Sequence, residues 1–464
     1  MDNIKIEFNE VDYIVPAETF SIDYSYLSKQ GLPFTKEFII RALYIAPLSK
    51  LELATFFGFN ARELSVALEE PINKGEITYL EDGKLSLTAL AKGYFATLDA
   101  KPMIEKPQTR NSSVTFELVG FNKVPNQHGS WNSALRLDVN HEIQSLSEQH
   151  AMKMFKKHFQ RLVEAGDLGK INTHDGALPS LYTVDNVTRK KTIAHRVKRK
   201  FEIDFDSRVM PFYVDKLYEN DEAISNAILQ ATDNHRLEHN LDEIKLAWDA
   251  FQDMSVSRFI KQNAIDFRGM IAEMGSGFTN KPYELLIGPL YGNRALSKVE
   301  QILKQLKPTK QQSKPQRMMW IGANTRYWGL SEGFTKTMDS LRSYQSNSKG
   351  KGSNYKLTLF LPTDDHSKSK DQIAKEWKQK MPNLESCEGI RNGLFDGNVE
   401  VLLLDNEFAA VCYHMAMPDI SPIHVPMGYI TRDKSLIKRV SDVVEDFLEG
   451  SVAHGKPNLI GSFN

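Results

Sequence analysis

Cysteine is nearly absent. Cys387 and Cys412 are the only two in 464 residues, far apart and without a His-rich partner segment, which excludes a disulfide framework and a zinc ribbon and leaves both as core thiols. Long apolar runs are missing too: no stretch approaches the ~18 residues of a membrane helix. The opening Met1-Asp2-Asn3-Ile4-Lys5-Ile6-Glu7 has neither the basic start nor the apolar centre of a secretion signal, so the expected location is the cytoplasm and no membrane partner is expected. Excess charge of one sign is also lacking, with 58 Lys and Arg against 59 Asp and Glu, a net of −1. There is no Gly-x4-Gly-Lys-Ser/Thr phosphate loop, no His-Glu-x-x-His zinc site and no Gly-x-Ser-x-Gly elbow. Neither a cofactor nor a metal ion is expected. His235 and His239, at helical i, i+4 spacing with Glu238 and Asp242 nearby, read as a plain surface helix.

What is present is a multidomain α/β chain, 41% hydrophobic and 25% charged, long enough for two or three cores. The reading divides it into a winged-helix domain (1–105), a second, basic winged-helix-like domain (106–200), a helical connector (201–275) and an α/β domain (276–464). In the first, Thr35 stands at a cap position before a helix that Pro47 ends. Ser49 and Glu52 then have capping-box spacing ahead of a helix stopped by Gly58. A third helix starts after Asn60, with Pro71 expected to bend or interrupt it, and an Asp82-Gly83 turn joins the two strands of a candidate wing. About a hundred residues later a helix through Met152, Phe155, Phe159 and Leu162 is followed by Asp175-Gly176 and Leu181-Tyr182-Thr183-Val184, the pattern of a second helix and hairpin.

Charge is unevenly distributed. Residues 150–200 hold twelve Lys and Arg against four Asp and Glu, a net of +8, which creates a local anion-attracting field in a neutral protein. Lys153, Lys157 and Arg161 lie four apart on one helical face with Lys156 beside them, and Arg189, Lys190, Lys191, Arg196, Lys198, Arg199 and Lys200 extend the cluster. In the first winged helix, Asn60 and Arg62 at the start of the third helix would face a major groove and Lys84 on the wing would meet phosphate. There the basic residues are outnumbered by Asp and Glu, which suits protein docking as well as DNA.

From residue 276 on, strands at Tyr283–Gly288, Met318–Gly322, Lys356–Pro362 and Val401–Leu404 alternate with helices at Ala295–Leu306 and Leu330–Leu341, arguing for a sheet with parallel pairs. The segment Asn398-x-Glu400-x4-Asp405, followed by Gly428 to Leu448, resembles the closing half of a phospholipase D-like domain, whose motif is His-x-Lys-x4-Asp. With an N-terminal winged helix, the arrangement resembles the TrmB-like transcription regulators. The resemblance implies a phospholipase D-like fold over about 280–450, and departs from the family where it matters: the His nucleophile and the Lys that holds phosphate oxygens are Asn398 and Glu400. Two other His-x-Lys triplets, His366-Ser367-Lys368 and His454-Gly455-Lys456, lack the Asp at the family's spacing.

The expectation is thus a pseudoenzyme: a protein that binds nucleic acid, duplex DNA in the first instance, for transcription regulation or assembly, with an inactive phospholipase D-like domain for sensing or docking. Protein partners and a homodimer are compatible with it. The rival readings are a nuclease or nuclease subunit of a prokaryotic antiviral defence or processing system, and a protein-docking adaptor.

Overall fold

The computed structural model of the chain describes residues 5–97, 99–127, 129–139, 141–171, 178–204, 206–233, 237–261, 264–275, 281–306, 315–345, 355–364, 368–381, 386–451 and 455–463. It is mixed α/β and divides into two compact units. One comprises residues 1–17, 127–140 and 193–464, the other 18–126 and 141–192. Two long strands, Ile6–Gly31 and Ser180–Ile203, each contribute residues to both. The first is absent from the sequence reading, although Phe20, Ile22, Tyr24 and Tyr26 alternate with Ser21, Asp23 and Ser25 at the period of two that marks a half-buried strand.

In the unit of residues 18–126 and 141–192, the strand Met103–Glu117 neighbours Ile6–Gly31, which neighbours Ser180–Ile203. The helix Ser147–Glu164 lies against this sheet because Ala151, Phe155, Phe159 and Leu162 recur on one side and are buried. The Tyr24 ring meets those of Phe155 and Phe159 at 5.0 and 5.7 Å. The Asp175-Gly176 turn lies outside the described residues, and Leu181–Val184 belongs to the 24-residue strand.

The same unit carries a module of three helices, Phe34–Ile45, Lys50–Phe57 and Ala61–Asn73, and a hairpin, Ile77–Tyr79 with Leu85–Leu87. Aliphatic side chains from all five elements share one core, among them Ile39, Ile40, Leu53, Leu64, Leu68, Ile77 and Leu85. The Ser49/Glu52 capping box forms, and Gly58 ends the second helix at φ +70°, the left-handed conformation that only glycine adopts without strain. Two local expectations are corrected. The first helix starts at Phe34 after Pro33, without a side-chain cap from Thr35. The third runs through Pro71 to Asn73, since a proline in the last turn removes a single backbone bond and Glu76 N–H closes the end on the Pro71 carbonyl at 2.8 Å.

The other unit is built on an eight-stranded sheet in the order Tyr283–Ile287, Val425–Thr431, Phe408–Met415, Val399–Leu404, Gln316–Ile321, Tyr355–Thr363, Cys387–Arg391, Leu459–Ser462. The three consecutive strands from Gln316–Ile321 to Cys387–Arg391 are parallel and the remaining pairings antiparallel. Val399–Leu404, Phe408–Met415 and Val425–Thr431 are buried along their whole length, which is why they read as apolar runs interrupted only by Glu400, His414 and Thr431. Helices Asn293–Gln305 and Glu332–Gln345 supply Val299, Ile302, Phe334 and Leu341 to the core. The connector contains helices Glu222–Asp233, Leu241–Phe251 and Phe267–Gly275, with short strands between them. Among the described residues no helix is long and apolar enough to cross a membrane.

Candidate functional site

The frame Asn398-x-Glu400-x4-Asp405 lies on one strand and its two flanks. Gly397, at φ +78°, turns the chain into it so tightly that a Cβ there would fall 2.1 Å from the Asn324 Cβ. Asn398 follows, its side-chain oxygen accepting from Asn240 Nδ2 at 2.6 Å and its Nδ2 donating to the Phe395 carbonyl at 3.1 Å. Glu400 is fully buried, yet well served by donors: Leu290 N–H at 3.2 Å, Trp320 Nε1 at 2.9 Å and His414 Nε2 at 3.0 Å. A buried carboxylate without such donors would be prohibitive. Asp405, at the far end of the strand and roughly 20 Å from Asn398, accepts from Arg317 Nε at 3.3 Å, and Arg317 also pairs with Glu445. All three frame side chains are therefore engaged within the protein: Glu400 and Asp405 with neighbouring strands, and Asn398 with Asn240 and its own turn.

Cys412 stands opposite Glu400 in the pairing register, and His414 lies two residues further along the same strand. Their side-chain N and S atoms and a Glu400 oxygen lie within 4.8 Å of one another. Sequence reasoning misses this group, because its members are contiguous only once the register of the two strands is known. Burial, then the nearby Glu400 charge, pushes the Cys412 thiol well above the usual range, and its Sγ reaches the Gly288 carbonyl at 3.5 Å. The three donors on Glu400 satisfy it within the protein, whereas the Cys412 thiol donates elsewhere, to Gly288.

Beyond the carboxyl ends of the parallel strands Gln316–Ile321 and Tyr355–Thr363, where open α/β sheets commonly bind ligands, a crevice of about 630 Å³ borders Asn398. Its cations are engaged. Arg326 donates to the carbonyls of Ala231 and Thr232 at the end of the helix Glu222–Asp233, Lys368 pairs with Glu376 at 2.9 Å, and the Lys380 ammonium lies 4.6 Å from the Trp377 ring centroid. His424 also lines the crevice. Burial, reinforced by His414, depresses its pKa to about 4, leaving it neutral at physiological pH. His366 and His454 lie outside the described residues, as do His235 and the polar segments 307–314 and 346–354. His239 sits 3.4 Å from Asp419.

The basic residues fall into two environments. On Ser147–Glu164, Lys153, Lys156, Lys157 and Arg161 are all exposed on the side opposite the buried Phe155 and Phe159, and none has an ion-pair or hydrogen-bond partner among the described residues. A shallow groove of about 480 Å³ runs from Lys153 and Lys156 to Asn186 and Val187. In the same unit, Arg189, Lys190 and Lys191 are exposed on the strand Ser180–Ile203, with Arg189 reaching the buried Glu18 at 3.1 Å. Residues 196–200 belong to the other unit and are engaged there. Arg196 binds Asp12 at 2.7 Å and also donates to the carbonyls of Ser130, Asn132 and Ser133. Lys198 pairs with Glu332, and Lys200 with Glu7 at 2.8 Å. The Arg199 guanidinium lies 5.6 and 5.5 Å from the ring centroids of Phe201 and Tyr213.

In the helical module, Asn60 is the N-cap of the third helix, its Oδ1 accepting from the N–H groups of Arg62 and Glu63. Arg62 is exposed, but Glu63, Glu69 and Glu70 share the exposed surface of that helix. Lys84 is half-buried after the turn, where its N–H donates to Asp82.

No protein-family model matches this chain, and no curated protein is significantly similar to it.

Proposed function

We propose that this chain is a nucleic-acid-binding protein whose phospholipase D-like domain serves assembly or sensing and does not hydrolyse phosphodiesters. The observation that carries the reading is the exposed, unpartnered cationic face of Ser147–Glu164. Four cations on about two turns match the spacing of adjacent phosphates, and each phosphate they neutralise releases counterions and makes binding salt-sensitive. Duplex DNA is the preferred ligand, because a straight basic helix face follows a regular phosphate backbone.

The absence of hydrolysis is supported by what occupies the motif positions. An amide, Asn398, stands where the nucleophile would be, and the Glu400 carboxylate stands where a cation would hold the developing oxyanion. A buried carboxylate there repels phosphate. The remaining crevice cations are held by carbonyls, a carboxylate and an aromatic ring.

The test is fluorescence anisotropy of the purified protein with labelled duplex DNA, single-stranded DNA and RNA of one length at two salt concentrations, with the substrates then run on a denaturing gel. The reading expects salt-sensitive binding, tightest for duplex, and intact substrates. No binding to any of the three would refute it. Cleavage lost on His366→Ala or His454→Ala would instead establish the nuclease reading.

A further inference from the structure

Of the eighteen large hydrophobic side chains that stand exposed among the described residues, nine lie between Phe34 and Leu90, in the helical module and the short helix Ala89–Lys92 that follows its hairpin. The helix Lys50–Phe57 shows why this is unusual. It is apolar on both sides but buries only Leu53, leaving Leu51 78% and Phe56 74% exposed. A helix apolar all round is normally covered on all sides. Alongside it, between the helices Lys50–Phe57 and Ala61–Asn73, runs a groove of about 1170 Å³. Leu64, Leu68 and Ile72 line it at i, i+4 and i+8, and Leu51, Phe59 and Tyr79 border it.

We propose that this groove is a docking site for an amphipathic helix of a partner protein, a segment of about two turns with an apolar stripe and a Lys or Arg that meets Glu69. The length follows from the ridge: Leu64 to Ile72 spans about 12 Å of helix axis, two turns. The helical form follows from the walls, since two neighbouring helices present ridges and a groove into which a third helix packs its own i, i+3, i+4 ridge.

The charge of the partner follows from which carboxylates are unoccupied. Glu52 and Glu63 close capping boxes with the backbone N–H groups of Ser49 and Asn60, and Glu70 pairs with Lys36 and Lys74. Glu69, which lines the groove, has no partner among the described residues. The cation at the groove, Lys50, lies 5.2 Å from the Tyr79 ring centroid. Phosphate would meet Glu63, Glu69 and Glu70 on this surface, so the groove suits a basic amphipathic protein segment better than a nucleic acid. The inference is independent of the nucleic-acid reading, which rests on a different helix.

The test is selection of a phage-displayed library of single-helix peptides on the full-length protein, followed by anisotropy with the enriched peptides made synthetically. The expected sequences share large apolar residues at i, i+3 or i+4 spacing together with Lys or Arg. Leu51→Glu and Tyr79→Ser, at exposed positions, should weaken their binding at least tenfold while the melting temperature falls by no more than about 4 °C, and Glu69→Lys at least fivefold. Enriched peptides that bind Leu51→Glu and Tyr79→Ser as well as the parent, or that are acidic, would overturn the proposal. A concentration-dependent dimer in sedimentation that Leu51→Glu dissolves would overturn it in favour of a second copy of this chain. Loss of duplex DNA binding in Leu51→Glu would overturn it in favour of nucleic acid.

Discussion

Two parts of one basic stretch behave differently. Lys153, Lys156, Lys157 and Arg161 stand on a helix whose other side is anchored by Phe155 and Phe159, so their charges face water. Arg196, Lys198 and Lys200 alternate along a strand beside Asp12, Glu332 and Glu7, and are paired. The sequence count adds both groups into one field, whereas only the first offers cations that a ligand can reach without breaking an existing interaction. Proximity in sequence does not make a binding surface; the element that presents the charges does.

The largest effect that would sharpen this contrast is on stability. Asp12 is fully buried and the Arg196 side chain only 11% exposed, so Arg196→Ala leaves a buried carboxylate without its cation, with the Glu332 N–H at 2.8 Å as its remaining donor. Burial already raises the Asp12 pKa despite Arg196. The expected loss is about 3–5 kcal/mol, read by urea unfolding at pH 7. A loss below about 1 kcal/mol would mean that Arg196 is as dispensable as the helix cations.

Next is the pH dependence from His424. Its folded pKa, about 4, lies below the ~6.5 of an unfolded histidine. The unfolded state therefore binds the extra proton, and this contribution is complete above about pH 6.5 and lost as pH falls towards 4. The change amounts to about 3 kcal/mol. His424→Asn should flatten the stability profile across that window, and an NMR titration of the ring gives the pKa directly. A ring titrating near the ~6.5 of a free histidine would contradict the account of its burial.

Smaller effects are expected on the solvent side. Lys157→Ala should shift unfolding stability by less than about 0.5 kcal/mol while weakening nucleic-acid binding and reducing its salt slope by about 0.9. Arg62→Ala, on a helix surface dominated by carboxylates, should alter duplex affinity less than twofold in the same anisotropy assay. A larger loss from Arg62→Ala than from Lys157→Ala would reverse the ranking of the two surfaces.

The elements that local chemistry encodes are the legible ones. The capping box at Ser49 and Glu52, the stop at Gly58 and the Asp82-Gly83 turn each depend on residues a few positions apart. The apolar runs around Val401 and Phe360 likewise announce buried strands. Asn60 illustrates the limit: the same residue suits a base-reading position and an N-cap, and here it caps. The Glu400, Cys412 and His414 cluster is invisible in the sequence because it depends on strand register, and the pairing of Arg196 with Asp12 because it joins residues 184 positions apart. Charge patterns can be read along a chain, but the partners that neutralise them are set by tertiary structure.

The most direct test of the central claim compares two triple variants on one labelled duplex across a salt series: Lys153→Ala/Lys157→Ala/Arg161→Ala, and Lys198→Ala/Arg199→Ala/Lys200→Ala. Removing three phosphate contacts should reduce the slope of log affinity against log salt by about 2.7, so the first variant should bind weakly with a flattened slope. The second should keep the parent's slope once its folded fraction is matched. An unchanged slope in the first variant, or an equal reduction in both, would contradict the claim that the exposed helix face alone carries nucleic-acid binding.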